Sequence, residues 1–224
     1  MHHPRIRLFA KRDIFSQHAS AIAQALFGDR LQVFHGGVGD RLPDIGAEPA
    51  LLVSFLSPWI VPQRMLDRCG TAINFHPGSV DYPGTGCYNF ALYEEAAEFG
   101  AVCHHMLAKV DTGSIIEERR FPLFASDSVE SLKLRTMATM LSLFHDVMCV
   151  IAARRPLPAA STQWTRQPFT RREMEALKEV KVSMPDAEAA RRVRATTYPG
   201  YPGPFLVNGG QTVYYPVPDR PPLA

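Results

Sequence analysis

Asn74 and His76 stand two residues apart in Ile73-Asn74-Phe75-His76-Pro77-Gly78, where an apolar run gives way to a loop rich in Gly and Pro. Residues two apart on an extended backbone point to the same face. In open parallel α/β sheets, ligands gather at the carboxyl ends of the strands. An amide and an imidazole placed there can both reach one substrate atom. The same spacing also suits two side chains that only satisfy loop backbone groups, and the residue types alone leave both readings open. Asp111, in Val110-Asp111-Thr112-Gly113, is a second candidate. An Asp ahead of Gly is ordinarily an Asx turn; beside His76, its carboxylate would instead fix the tautomer of the imidazole. His104 and His105 are adjacent, so on a strand they face opposite ways and one at most can join a site. Tyr82 and Asp81 lie in the same loop as His76, where tyrosines serve packing as often as binding. Gly36-Gly37-Val38-Gly39 lacks the G-x-G-x-x-G spacing of a dinucleotide fingerprint and reads as a turn.

Other chemistries are poorly served. Cys69, Cys87, Cys103 and Cys149 include no C-x-x-C pair, which argues against a zinc site or a redox motif. They read as reduced core thiols of a cytoplasmic protein. Lys plus Arg number 24 against 22 for Asp plus Glu, a net charge of +2, which favours a small-molecule or protein partner over nucleic acid. With 46% hydrophobic and 21% charged residues, the composition is that of a globular chain. No signal peptide fits Met1-His-His-Pro-Arg5, and no uninterrupted run of 18 apolar residues suggests a membrane span.

The elements that must position these residues follow from periodicity. Residues 6–10, 31–35, 50–56 and 72–75 read as strands, the third almost wholly apolar, as a strand buried on both faces would be. Asp13 is placed to cap a helix whose apolar residues include Ile14, Ala19, Ala23 and Leu26. Pro62 suits the first turn of a short helix to Cys69. This β-α-β-α-β order argues for a parallel sheet covered by helices. A loop spans 76–86, a helix is expected from Cys87 to Glu98, strands over 101–106 and 115–121, and a long helix from Ser128 to about Ala153. Beyond Pro156, Pro-rich linkers flank two expected helices, 171–180 and 186–196, then a hairpin turning at Asn208-Gly209-Gly210. The chain thus divides into a main domain, 1–155, and a small extension, 156–224.

Taken in order, Asn74-x-His76-Pro77, the Pro83-Gly84 loop, Gly100 followed by His104 or His105, and Asp111-Thr112-Gly113-x-Ile115-Ile116 resemble the folate-dependent formyltransferases over about 50–150. That family includes glycinamide ribonucleotide, methionyl-tRNA and nucleotide-sugar enzymes. The resemblance implies a Rossmann-like α/β domain, a mostly parallel sheet with helices on both faces, and N10-formyltetrahydrofolate as co-substrate, with no metal. It implies an Asn/His/Asp triad of Asn74, His76 and Asp111, and register against the family's Gly-x-Thr-Ile-His-x-Met strand favours His104. Two loops, Pro58, Trp59, Ile60 and Val61 with Lys109 and Val110, correspond to those that hold the pterin. Tyr82, His104, Tyr198 and Tyr201 are the expected contacts to the acceptor. The chain departs from the tRNA enzyme in lacking its Gly-x-x-x-Phe-Ala loop and an Arg beside Gly84, and the residues after Pro156 are too few for an OB-like barrel. The stretch Arg194-Ala-Thr-x-Tyr198-Pro-Gly-Tyr201-Pro-Gly-Pro-Phe205 looks most like nucleotide-sugar N-formyltransferases, which implies a 4-amino-4,6-dideoxy sugar on a nucleotide, made for bacterial surface polysaccharide such as lipopolysaccharide O-antigen, and a homodimer. Formylation of glycinamide ribonucleotide or another small amine, hydrolysis of the folate, and a binding protein on an inactive copy of the fold are the alternatives.

Overall fold

The computed structural model describes residues 6–46, 49–208 and 210–216. Six strands, β1 (Ile6–Lys11), β2 (Leu31–Gly36), β3 (Leu51–Phe55), β4 (Thr71–His76), β5 (Glu98–His105) and β6 (Ile115–Pro122), form one sheet in the order β2-β1-β3-β4-β5-β6. The first four neighbours pair in parallel, whereas β5 runs antiparallel to both β4 and β6. Five strands therefore share one direction, so the sheet is mostly parallel, as expected. β3 is buried along its whole length, which explains its unbroken apolar sequence.

Helices cover the sheet because their apolar residues recur every three or four positions. In α1 (Ile14–Phe27) the Asp13 carboxylate accepts the Ser16 N–H at 2.8 Å, and Ala19, Ala23 and Phe27 face inward. In α4 (Val129–Ala152), Ser128 and Ser131 close a reciprocal capping box. Phe144 of this helix packs on Phe55 and Phe75 of the sheet, with ring centroids 5.2 and 4.9 Å apart. α4 has the length and mean hydropathy of a membrane span, although Lys133, Arg135 and Asp146 interrupt it and one face is part of the core. α2 (Gln63–Leu66) and Val61 pack on Phe9 and Leu52 across the sheet from α1 and α4.

Three boundaries differ from expectation. The helix starting at Cys87 is α3 (Cys87–Tyr93); Glu95 takes a left-handed backbone, φ 53°, and Ala96 N–H returns to Ala91 C=O, so the chain stops turning and Glu98 instead opens β5 opposite Pro122. The short helix after Pro62 ends its regular part at Leu66. The helix at Arg171 is α5 (Arg171–Lys178), since Glu179 and Val180 pair as β7 (Glu179–Val180) with Phe205 and Leu206.

β7 joins β8 (Phe205–Asn208) and β9 (Gln211–Tyr214) in a small sheet. The last two form the expected hairpin, whose turn residue Gly209 lies outside the described residues. α6 (Asp186–Thr196) and α5 lean on the main domain: Leu177 and Ala195 share a buried cluster with Phe90, Leu92 and Leu132.

Candidate active site

The site forms where β4, β5 and the loop between β5 and β6 meet. Antiparallel register sets Asn74 opposite His104, and the Asn74 amide nitrogen lies 3.0 Å from His104 Nε2. His104 Nδ1 is 2.8 Å from the His105 carbonyl. A carbonyl only accepts, so Nδ1 carries the hydrogen and Nε2 presents its lone pair to the Asn74 amide. His76 obeys the same logic: its Nε2 donates to the Tyr82 carbonyl at 2.9 Å, which leaves Nδ1 facing Asp111 Oδ2 at 3.2 Å. The second carboxylate oxygen, Asp111 Oδ1, lies 3.3 Å from His104 Nε2.

Asp111 is therefore held between two imidazoles, and it also accepts the Gly84 N–H at 2.8 Å. Its backbone has φ 47°, a left-handed conformation rare for a residue with a Cβ. Burial alone pushes this carboxyl up; the charge that His76 carries when protonated, the Nε2–H bond and charge that His104 gains on protonation, and the Gly84 N–H outweigh it and hold the group well below the usual carboxylate range. Gly84 has φ 87°, and a Cβ there would strike the Phe169 backbone, so only glycine lets the loop bend past Phe169 and still reach Asp111. His76 and His104 are 4% and 2% exposed, which places their charge balance in a poorly hydrated setting.

These four side chains line one cavity of about 440 Å³. Pro58, Trp59, Ile60 and Val61 form its apolar wall with Leu107 and Val110. The Trp59 indole is fixed by Phe9, 5.2 Å between centroids, by its Nε1–H to the Asp40 carbonyl, and by Gly36, where any side chain would collide with the ring. Ile60, Leu107 and Val110 are exposed apolar groups at the mouth.

Sequence reasoning thus places Asn74, His76, Asp111, His104, Pro58, Trp59, Ile60, Val61 and Val110 around a single cavity, and the structure brings all of them together there. Lys109 turns aside and donates to Gln167 at 2.6 Å. The Tyr82 side chain is buried, donates its hydroxyl to Glu94 and lies under Arg166; only its carbonyl reaches the site. Tyr198 and Tyr201 pack together, centroids 5.3 Å apart, with the Tyr198 hydroxyl accepting from Lys133, and neither lines the cavity. Thr85 and Phe169 line it without having been singled out by sequence. For Gly84 the signal was present in Pro83-Gly84; for Phe169, in an aperiodic Pro-containing stretch, there was none.

A mostly parallel α/β sheet with a polar cluster at the end of β4 defines the class of the protein, and sequence comparison defines its family. Residues 9–148 match the formyl transferase family, and the chain belongs to it. It is 28% identical over 101 residues to a phosphoribosylglycinamide formyltransferase of Haemophilus influenzae, covering 44% of this chain and 47% of that protein. It is 23% identical over 171 residues to a GDP-perosamine N-formyltransferase of Brucella melitensis, covering 75% and 65%. The chain thus spans about half to two thirds of the curated relatives it matches. Among solved structures, a Mycobacterium tuberculosis protein offered as a candidate sugar N-formyltransferase superposes with TM-score 0.78 at 20% identity, covering 98% of this chain and 100% of that one. A 4-N formyltransferase of Francisella tularensis gives 0.77 at 16%, covering 96% and 97%. An N-formyltransferase of Helicobacter canadensis with folinic acid and dTDP-3-aminofucose gives 0.68 at 14%, covering 86% and 80%. At these identities the structural likeness is one of fold.

Proposed function

We propose that the protein transfers a formyl group from N10-formyltetrahydrofolate to the amine of a nucleotide-linked amino sugar. The observation that carries this reading is the convergence of Asn74, His76, His104 and Asp111 on a cavity whose other wall is apolar, in a chain of the formyl transferase family. The wall formed by Pro58, Trp59, Ile60, Val61 and Val110 suits a flat heterocycle. The bound folate supplies the formyl carbon; the chain supplies everything else.

Transfer requires an unprotonated amine to attack the formyl carbon while negative charge builds on the formyl oxygen. Asn74 gives one amide hydrogen to His104, and its second hydrogen has no partner among the described residues, so it is available to that oxygen. The proton lost by the amine passes to His76 Nδ1, the ring nitrogen left without a hydrogen when Nε2–H donates to the Tyr82 carbonyl, and the Asp111 carboxylate 3.2 Å away stabilises the imidazolium that forms. The reaction as written calls for no metal.

The finer reading is that the acceptor is a 4-amino-4,6-dideoxy sugar nucleotide used for bacterial surface polysaccharide, formylated in the cytoplasm by a homodimer. A 4-N formyltransferase and a GDP-perosamine N-formyltransferase among the similar proteins support the sugar. The four cysteines are all free, which suits a reducing compartment. Val207, Val213 and Tyr214, exposed on the small sheet, are the apolar surface offered to a second copy. Residues 1–155 carry the reacting groups in this scheme, and Tyr198 and Tyr201 of the extension are assigned to the nucleotide.

The test is tetrahydrofolate release from N10-formyltetrahydrofolate with a panel of amino-sugar nucleotides and glycinamide ribonucleotide. Release only with a sugar nucleotide is the expected outcome. Release without any acceptor would make the protein a hydrolase, and release with glycinamide ribonucleotide alone would replace the sugar.

A further inference from the structure

The segment 160–170 is held across the β4–β6 end of the sheet by bonds distant in sequence. Ala160 N–H donates to Ile115 C=O, Thr165 N–H to Val80 C=O, and Phe169 N–H to Pro83 C=O, while Thr85 N–H returns to Phe169 C=O. Trp164 sits at the centre of this strap. Its ring meets His76 edge-on at 5.8 Å and 75°, and His104 at 5.2 Å and 82°. Its Nε1–H donates to the Gly113 carbonyl at 2.8 Å, two residues beyond Asp111. Gly113 is itself pressed against the His105 backbone so closely that a Cβ would not fit. On its far side the indole lines a polar groove of about 490 Å³, with Thr112, Ser114, Thr162 and Gln163. The indole thus stands between that groove and the two imidazoles.

From these contacts we infer that Trp164 is a positioning residue of the active site. Its ring seals His76 and His104 from water in the groove, and its bond to Gly113 fixes the loop that presents Asp111. Water admitted there would compete for the His104 and His76 hydrogen bonds and weaken the coupling to the carboxylate, because charge interactions fade as the local dielectric rises. The seal follows from geometry alone; its effect on turnover rests on the formyl-transfer reading above.

The experiment reads the two separately. In protein made with isotope-labelled histidine, the ring N–H signals of His76 and His104 are expected to be visible by NMR and slow to exchange, as hydrogens shielded from solvent are. In Trp164→Ala both should be lost to exchange, whereas Trp164→Phe, which keeps an aromatic edge on the imidazoles, should retain them. In turnover, Trp164→Ala is expected to lower kcat by about 10- to 100-fold, the size of effect that slight misplacement of reacting groups produces, with KM for both substrates nearly unchanged. Trp164→Phe, which restores the ring but not the bond to Gly113, should recover part of that loss. Signals absent from the wild type, or persisting in Trp164→Ala, or lost as fully in Trp164→Phe, would overturn the seal. An unchanged kcat in Trp164→Ala would overturn the positioning role. If the signals behave as expected but the wild type formylates nothing, the seal stands and the functional reading fails.

Discussion

Asn74, His76, His104 and Asp111 form an array in which one hydrogen of each imidazole has an assigned place, because His76 Nε2 and His104 Nδ1 face carbonyls that can only accept. Asn74 is the member with a hydrogen to spare. Under the proposed function, Asn74→Ala is expected to lower kcat by about 100- to 1000-fold, as loss of an oxyanion donor does, while folate binding, which that reading gives to the apolar wall, stays close to wild type. Equal loss of folate affinity and turnover would reassign Asn74 to binding. Asp111 makes a prediction in pH. Its folded-state carboxyl lies below the ordinary range, so ionisation stabilises the fold above the unfolded-state value of about 3.9, and the contribution is lost as pH falls from there toward the folded value. The difference in urea midpoint between wild type and Asp111→Asn should therefore narrow as pH drops below about 4. A difference that does not change with acid would mean that the carboxylate is not stabilised by the imidazoles.

At the scale of elements, α4 carries the core. Phe144 touches Phe55 of β3 and Phe75 of β4, and Phe75 lies between Asn74 and His76 in sequence. The alternation of the strand puts Phe75 into the core so that its two neighbours face the site. Packing beneath β4 therefore sets the height of Asn74 and His76. Phe144→Ala should cost about 3–5 kcal/mol through lost burial and the cavity left behind. Chemical denaturation measures this; a loss under 1 kcal/mol would show that neighbouring side chains refill the space. The boundary surprises belong to this scale as well. Helical pattern continued past Tyr93 and past Lys178, yet in both places a partner strand claimed the backbone hydrogen bonds, and pairing outweighs the weak local preference for helix.

For the molecule as a whole, the division at residue 155 follows composition, and the packing crosses it. Leu177 and Ala195 fill a cluster with Phe90 and Leu132, Asn89 donates to the Ala195 carbonyl at 2.7 Å, and Glu188 accepts the Tyr93 hydroxyl at 2.9 Å. Trp164 and Phe169 reach the site from beyond the boundary. A chain ended after Arg155 is accordingly expected to expose that cluster and to melt without a cooperative transition or to aggregate, as measured by calorimetry and size exclusion. A soluble truncated chain with a sharp transition would show that the first 155 residues are self-sufficient.

What the sequence determined by itself is local and periodic. The Asp13 and Ser128 caps, the apolar strands and the common face of Asn74 and His76 were all legible, because helix and strand repeats fix which way each side chain points whatever the rest of the chain does. The ordered set of residues from Asn74 to Ile116 also carried the family, which the match over 9–148 bears out. The tertiary structure alone decided which groups meet. The family resemblance already favours His104 over His105, but its meeting with Asn74 depends on the β4–β5 register, and that Tyr82 offers a carbonyl rather than a ring depends on how its loop folds back on His76. Trp164 lies 60 residues from His104 in the numbering and in a stretch without periodicity, so nothing local marks it. Its place over the two imidazoles arises from backbone bonds and packing between distant segments, which no repeat along the chain encodes.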